Sequence, residues 1–170
     1  MSKNELVRNA IVVSGLRKAY GDHRVLDGVD LSIPRGSVFS LLGPNGAGKT
    51  TTVKILSTLT RADAGQVSVA GFDLASDPDG VRRSIGVTGQ FSAVDMFHNA
   101  EENLRLMARL WHLDRKVAEQ RCARLIEQFD LSAAARKPVM TYSGGMKRRL
   151  DLAMTLVGNC LLYTSDAADE

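Results

Sequence analysis

The sequence predicts an α/β fold. A largely parallel sheet with flanking helices carries an antiparallel β portion on its N-terminal side and an α-helical subdomain further along. Three observations lead there. Alternating apolar residues mark strands from Ile11 to Ile33, and a glycine-rich stretch joins a short apolar run to a segment of helical spacing. From Glu101 to Phe129 the composition then turns to Leu, Ala, Arg and Glu.

The elements follow in order. IVVSGLRKAY and VLDGVDLSI read as two strands around a turn at Gly21-Asp22, the second with Val25, Val29, Leu31 and Ile33 at apolar positions, and Pro34-Arg35-Gly36 closes them. SVFSLLG is nearly continuous in apolar residues and suits a strand buried on both faces. After the glycines, KTTTVKILSTL has Val53, Ile55, Leu56 and Leu59 at helical spacing, QVSVAG returns to strand alternation, and the basic VRRS leads into a strand at IGVTGQ. Leu104, Met107, Ala108 and Trp111, then Val117, Cys122, Leu125 and Phe129, mark the apolar faces of two helices. Their break falls at His112-Leu113-Asp114, where Asp114 is placed to cap the second. Lys137-Pro138 interrupts the helices, and a Ser-Gly-Gly turn opens a last one bearing Leu150, Ala153, Met154 and Val157.

With 170 residues, 44% of them hydrophobic, the chain has enough apolar content for one globular domain or a piece of a larger one. Its 22 Lys and Arg against 19 Asp and Glu leave +3, scattered along the chain, which argues against direct nucleic-acid binding. No apolar run approaches the roughly 20 residues that cross a bilayer, so direct membrane insertion is not expected. Cys122 and Cys160 cannot frame a disulfide scaffold, and MSKNELVRNAIVV lacks the apolar core of a signal peptide; the chain reads as cytosolic.

The chemistry concentrates at Gly43-Pro44-Asn45-Gly46-Ala47-Gly48-Lys49-Thr50, a complete G-x-x-x-x-G-K-[ST] between an expected strand and an expected helix. Glycines let the backbone curl so that successive N–H groups converge, and the helix adds its positive end to the same concavity. A polyphosphate fits there. Lys49 is expected to reach the β and γ phosphates, the Thr50 hydroxyl to join a Mg²⁺ shell, and Thr51 to contact the α phosphate.

Several further tracts narrow the family. LRKAYG, VLDGVDLSIPRGSVFSLLGPNGAGKTT, VTGQ and YSGGMKRRLDLA occur in that order. Over about 11–159 the chain closely resembles the nucleotide-binding domain of ATP-binding cassette (ABC) transporters, and within them the drug-resistance exporters of the daunorubicin type. The resemblance implies a P-loop NTPase core over about 11–90, a helical subdomain over about 91–141, and a signature loop and helix over 142–158. It implies ATP and Mg²⁺ as cofactors, with Tyr20 stacking on adenine and Gln90 reaching the Mg²⁺ or the attacking water. Tyr142-Ser143-Gly144-Gly145-Met146 matches the signature loop with Tyr and Met at its outer positions; Ser143, Gly144 and Gly145 would close on the nucleotide of a second copy in a head-to-tail dimer. An integral membrane permease is the other implied partner, which places the chain in the cytoplasm, peripheral on the inner face of the membrane. The alternatives are a soluble cassette ATPase acting on ribosomes or DNA, and a binding-only regulatory cassette.

Other residues keep plainer readings. Tyr20, taken by itself, is equally an ordinary amphipathic strand residue. Met107 and Trp111 are core, or else line a groove for a transporter helix, and Cys122 is packing. Lys147-Arg148-Arg149 is a solvated or phosphate-facing basic turn.

In the family the helix LDLAMTLVGN leads into a buried strand ending in Asp-Glu. Here CLLYTSDAADE follows, so the strand and its two carboxylates are expected to be missing, and Asp169-Glu170 is not assigned to that role. The tail resembles a translated sequencing-adapter string. Residues 160–170 are thus expected to be non-native, the domain incomplete at its C-terminus, and the fragment hydrolytically inactive.

Overall fold

A computed structural model describes residues 7–88, 94–158 and 162–165. The chain divides into two compact units, one running to Ile85 and the other beginning at Gly86.

The first unit is built on a four-stranded antiparallel sheet, and its sequence logic is the alternation noted above. Strands β1 (Asn9–Tyr20) and β2 (His23–Pro34) form a hairpin whose register runs from Asn9 opposite Pro34 to Tyr20 opposite His23. β3 (Ala64–Val69) adds to the other edge of β1, with Ile11 opposite Val69 and Arg17 opposite Ala64, and the short β4 (Phe72–Asp73) completes the order β2-β1-β3-β4. β1 is central, and Ala10 to Val13 are buried in succession, as are Leu16, Leu26, Ile33, Val67 and Val69. Register shifts along the β1–β2 ladder move the burial pattern of β2, so Leu26 and Ile33 are buried while Val29 and Leu31 are half-buried. Helix α1 (Lys49–Leu56) lies between β2 and β3 in the chain, and helix α2 (Pro78–Ser84) follows β4. α2 starts on Pro78, and the Asp77 side chain accepts from Gly80 N at 2.8 Å.

Two expectations for this unit fail. The strand expected over SVFSLLG does not form: Val38 is fully exposed and Leu42 is 86% exposed. An apolar run becomes a buried strand only when neighbouring strands pair with its backbone, and both described sheets are built from other segments. The helix after the glycines ends at Leu56 rather than running through Leu59, which is 71% exposed, because Thr58 turns to φ +64.

β5 (Ile85–Thr88) starts on the last residue before the second unit, which is mainly helical. α3 (Ala100–Leu110) begins with a capping box: the Asn99 side chain accepts from Glu102 N and the Glu102 carboxylate accepts from Asn99 N, each at 2.9 Å. α4 (Arg115–Gln128), two 3₁₀ turns (Ser132–Ala134 and Val139–Thr141) and α5 (Gly144–Leu156) enclose one core with Leu104, Leu125, Leu131, Val139, Leu150 and Val157 at its centre. Met107 and Trp111 pack against this core, and Cys122 is buried in it, where burial pushes its thiol up. Val117, expected on the apolar face of α4, is 41% exposed. Asp114 does occupy the N-cap position of α4, but its side chain accepts no capping bond.

The largest departure is at the far end. Leu162–Ser165 forms a strand, β6, paired with β5, so the expectation that no strand follows the last helix is overturned. Leu-Tyr-Thr is rich in residues that favour an extended backbone, and the free edge of β5 supplies the ladder. Asp169 and Glu170 lie outside the described residues.

Acid should loosen the first unit. Asp27, Asp63 and Asp73 are held below the ordinary carboxyl range by hydrogen bonds from Arg24, from Lys18 and from the Ser76 N–H, respectively. A carboxyl depressed on folding stabilises fully above its unfolded value of about 4, and the contribution is lost as pH falls through the folded value. The melting temperature should therefore hold from about pH 7 to pH 5 and drop below about pH 4. A melt series in constant ionic strength checks this, and a flat profile down to about pH 3 would contradict it.

Candidate functional site

Residues 43–49 curl into a compact loop at the start of α1. Ala47 N donates to Pro44 O at 3.1 Å, and Gly46 and Gly48 take positive φ, +85 and +84. Gly48 is the N-cap of α1, and a glycine cap leaves the first turn of the helix without a side-chain acceptor. No acidic residue occupies that turn. The helix N-terminus thus presents donors and positive dipole to whatever lies in the loop.

The loop is held from behind. Thr52 is buried, its N–H donating to Gly48 O at 2.8 Å and its hydroxyl to the same oxygen at 3.0 Å. A Cβ on Gly48 would meet Leu26 Cδ2 at 2.5 Å and Val25 O at 3.0 Å, so β2 backs directly onto the loop's last glycine. At the front, Lys49 Nζ donates to Gly43 O at 2.6 Å and Pro44 O at 3.1 Å, which folds the ammonium across the loop. Thr50 is exposed and Thr51 half-buried. The residues fit a polyphosphate: a loop turned by two positive-φ glycines, a helix start without acid, and one flexible cation over it.

Tyr20 stands at the tip of the β1–β2 hairpin, 50% exposed, with Lys18 Nζ 5.4 Å from its ring centroid. Lys18 pairs in register with Leu26, the residue that backs Gly48. The hairpin therefore carries the aromatic and the wall of the loop on one piece of sheet. Sequence reasoning missed Asp63, whose carboxylate accepts from Lys18 Nζ and from Ala19 N, both at 2.7 Å. Those partners are 45 and 44 residues away, and no local pattern signals them.

In the second unit Ser143 is the N-cap of α5, its hydroxyl oxygen accepting from Met146 N at 3.3 Å. Gly144 and Gly145 are exposed, and a Cβ on either would meet nothing within 4 Å. Packing therefore does not require these two glycines, which leaves the open approach to the helix start as what they provide. Tyr142, in contrast, is buried; its hydroxyl donates to Ala134 O at 2.6 Å and burial pushes its phenol up. Gln90 lies outside the described residues.

A glycine-curled amide loop feeding a helix, with a lysine at the first helical position, defines a nucleotide-binding cassette of the P-loop class. The family model described as ABC transporter matches residues 26–169, and the chain belongs to that family. It is 56% identical over 150 residues to the doxorubicin resistance ATP-binding protein DrrA of Mycobacterium tuberculosis (strain ATCC 25618 / H37Rv), covering 87% of this chain and 45% of that protein. It is 51% identical over 148 residues to the daunorubicin resistance ATP-binding protein DrrA2 of Streptomyces coeruleorubidus, covering 87% of this chain and 46% of that one. The chain thus spans less than half the length of these relatives.

Among solved structures, an ATP-binding subunit of an ABC transporter superposes with a TM-score of 0.78 at 29% identity, covering 92% of this chain and 65% of that one. CbiO1 from Clostridium perfringens shares the fold, with a TM-score of 0.84 at 23% identity over 94% of this chain and 65% of its own. The α/β fold expected from the sequence is the fold of these ATPase domains, and it is incomplete by their measure.

Proposed function

We propose that this chain is the ATP-binding part of a drug-resistance exporter, with ATP held between the loop at 43–51 and the Tyr20 ring. The observation that carries the reading is the Gly48-capped start of α1 with the Lys49 ammonium folded over the loop. The loop amides bind phosphate oxygens, and Lys49 exchanges its two carbonyl partners for the β and γ phosphates. Thr50 and Gln90 would hold Mg²⁺, which supplies charge neutralisation on the phosphate oxygens. Tyr20 binds the base by stacking, which tolerates any flat ring and adds to affinity more than to base choice.

Ser143, Gly144 and Gly145 form a second, smaller anion-facing helix start, suited to the nucleotide of a second copy in a head-to-tail pair. Closure of such a pair on the triphosphate would drive export through a membrane permease of drug-like or lipid molecules, with the chain on the inner face of the membrane. The names of the DrrA proteins support the drug-resistance part of this reading. We further propose that 160–170 is non-native and that, without an assigned Asp-Glu pair to position water, the chain binds nucleotide without turning it over.

The decisive variant is Lys49→Ala. Removing a charge-assisted contact costs about 1.5–3 kcal/mol, so ATP affinity should fall roughly 10- to 100-fold with the melting temperature nearly unchanged. Titration with a fluorescent ATP analogue measures it, and equal affinity in the variant would sink the nucleotide reading.

A further inference from the structure

We propose that Asp63 is a positioning residue for the base contact, holding the end of β1 so that the Tyr20 ring presents one fixed face to a nucleotide base. The inference rests on the nucleotide reading above and adds to it a residue that neither sequence motif contains.

β1 is paired on both edges only as far as Arg17, which lies opposite Ala64 on β3. Beyond that point β1 keeps β2 on one side, and among the described residues no strand pairs with its other edge. A strand end paired on one edge alone frays, and an aromatic at its tip would sample many orientations. Asp63 takes the place of the missing strand.

Its main-chain N–H donates to Arg17 O at 3.0 Å, one carboxylate oxygen accepts from Lys18 Nζ at 2.7 Å, and the other accepts from Ala19 N at 2.7 Å. One residue is thus bonded to three successive positions of β1, and the next position is Tyr20. The same carboxylate fixes the Lys18 side chain, only 14% exposed, whose ammonium stands 5.4 Å from the ring centroid. One face of the ring is therefore occupied by a tethered cation. Half of Tyr20 remains exposed, and a flat base settles on the free face. The bonds from Lys18 and from Ala19 N also hold the Asp63 carboxyl below its ordinary range, so the group is charged wherever nucleotide binding is measured.

A base-positioning role and a merely structural one separate when the ligand has no base. The 170-residue chain and its Asp63→Ala, Asp63→Asn, Lys18→Met and Tyr20→Ala variants would be titrated with ATP and with inorganic tripolyphosphate, each competing against a fluorescent ATP analogue. Asp63→Ala should weaken ATP roughly five- to tenfold, the size of a degraded base–aromatic stack, and leave tripolyphosphate within about twofold. Asp63→Asn, which keeps an acceptor for Ala19 N and loses the charge that tethers Lys18, should fall between Asp63→Ala and the parent. Lys18→Met, which leaves the main-chain bonds of Asp63 intact, provides the same comparison should Asp63→Ala fail to fold.

Combining Asp63→Ala with Tyr20→Ala should weaken ATP no more than Tyr20→Ala alone, because both remove one contact. Equal losses for ATP and tripolyphosphate, or additive losses in the double variant, would overturn the proposal. An unchanged ATP affinity in Tyr20→Ala would overturn it together with the stacking role. In each of these outcomes the nucleotide reading survives if Lys49→Ala still weakens both ligands, and both the reading and the proposal fail if Lys49→Ala weakens neither.

Discussion

A Gly48→Ala chain should lose roughly 2–5 kcal/mol of stability and bind ATP at least about tenfold more weakly than the parent. Two costs combine. Gly48 sits at φ +84, where a Cβ costs about 1–2 kcal/mol. The new methyl would also stand 2.5 Å from Leu26 Cδ2 and 3.0 Å from Val25 O, and overpacking of that kind costs about 1–3 kcal/mol. Leu26 can rotate away, but the Val25 carbonyl is main chain of β2, at an irregularity in its pairing with β1, and moves only with the strand, so the loop must open. Gly46→Ala is the control: its φ is +85, yet a Cβ there meets nothing within 4 Å, and it should show the backbone cost alone. Urea unfolding with an ATP titration on each variant gives the comparison. Equal stability in the two variants would show that β2 does not back the loop as described.

Leu150→Ala should destabilise the second unit by roughly 2–5 kcal/mol, since Leu150 is fully buried in its hydrophobic cluster. The readout is built in. The chain has one tryptophan, Trp111, and it packs against the same cluster, so its emission follows this unit. A Cβ on Gly158 would meet the Trp111 ring at 2.3 Å, so the indole lies directly against the end of α5. Leu150 also lies on the buried side of the helix whose start carries Ser143 and Gly144, so loosening it should blur the geometry of that start. A fluorescence midpoint unmoved by the substitution would contradict the packing.

The parts legible in the sequence were those in which a short-range rule fixes the outcome. The β1–β2 hairpin follows from alternation around Gly21-Asp22, and the loop at 43–50 from the spacing of Gly43, Gly48 and Lys49. The helical unit follows from the repeat of Leu104, Ala108, Leu125 and Leu150. What misled were segments whose state depends on a distant partner. SVFSLLG has the composition of a buried strand, yet composition cannot say whether another strand lies alongside, and Val38 and Leu42 stand exposed. Leu162–Ser165 shows the converse, since it takes its extended form from β5, some seventy-five residues earlier. Asp63 was invisible for the same reason: an isolated acid before a strand carries no sign that it ties down Arg17, Lys18 and Ala19. At Asp114 the residue type marked the right position, but the helix start there uses no bond from the side chain.

The bridge from the Lys49 ammonium to the oxygens of Gly43 and Pro44 sets a threshold for any newcomer. To recruit that cation a ligand must compete with two amide dipoles already in contact with it. A lone hydroxyl or carbonyl offers nothing better, whereas adjacent anionic oxygens do, because they add the attraction of opposite charges to the hydrogen bond. On the function proposed above, the main chain itself favours densely charged molecules over weakly charged ones, ahead of any contact with a sugar or a base.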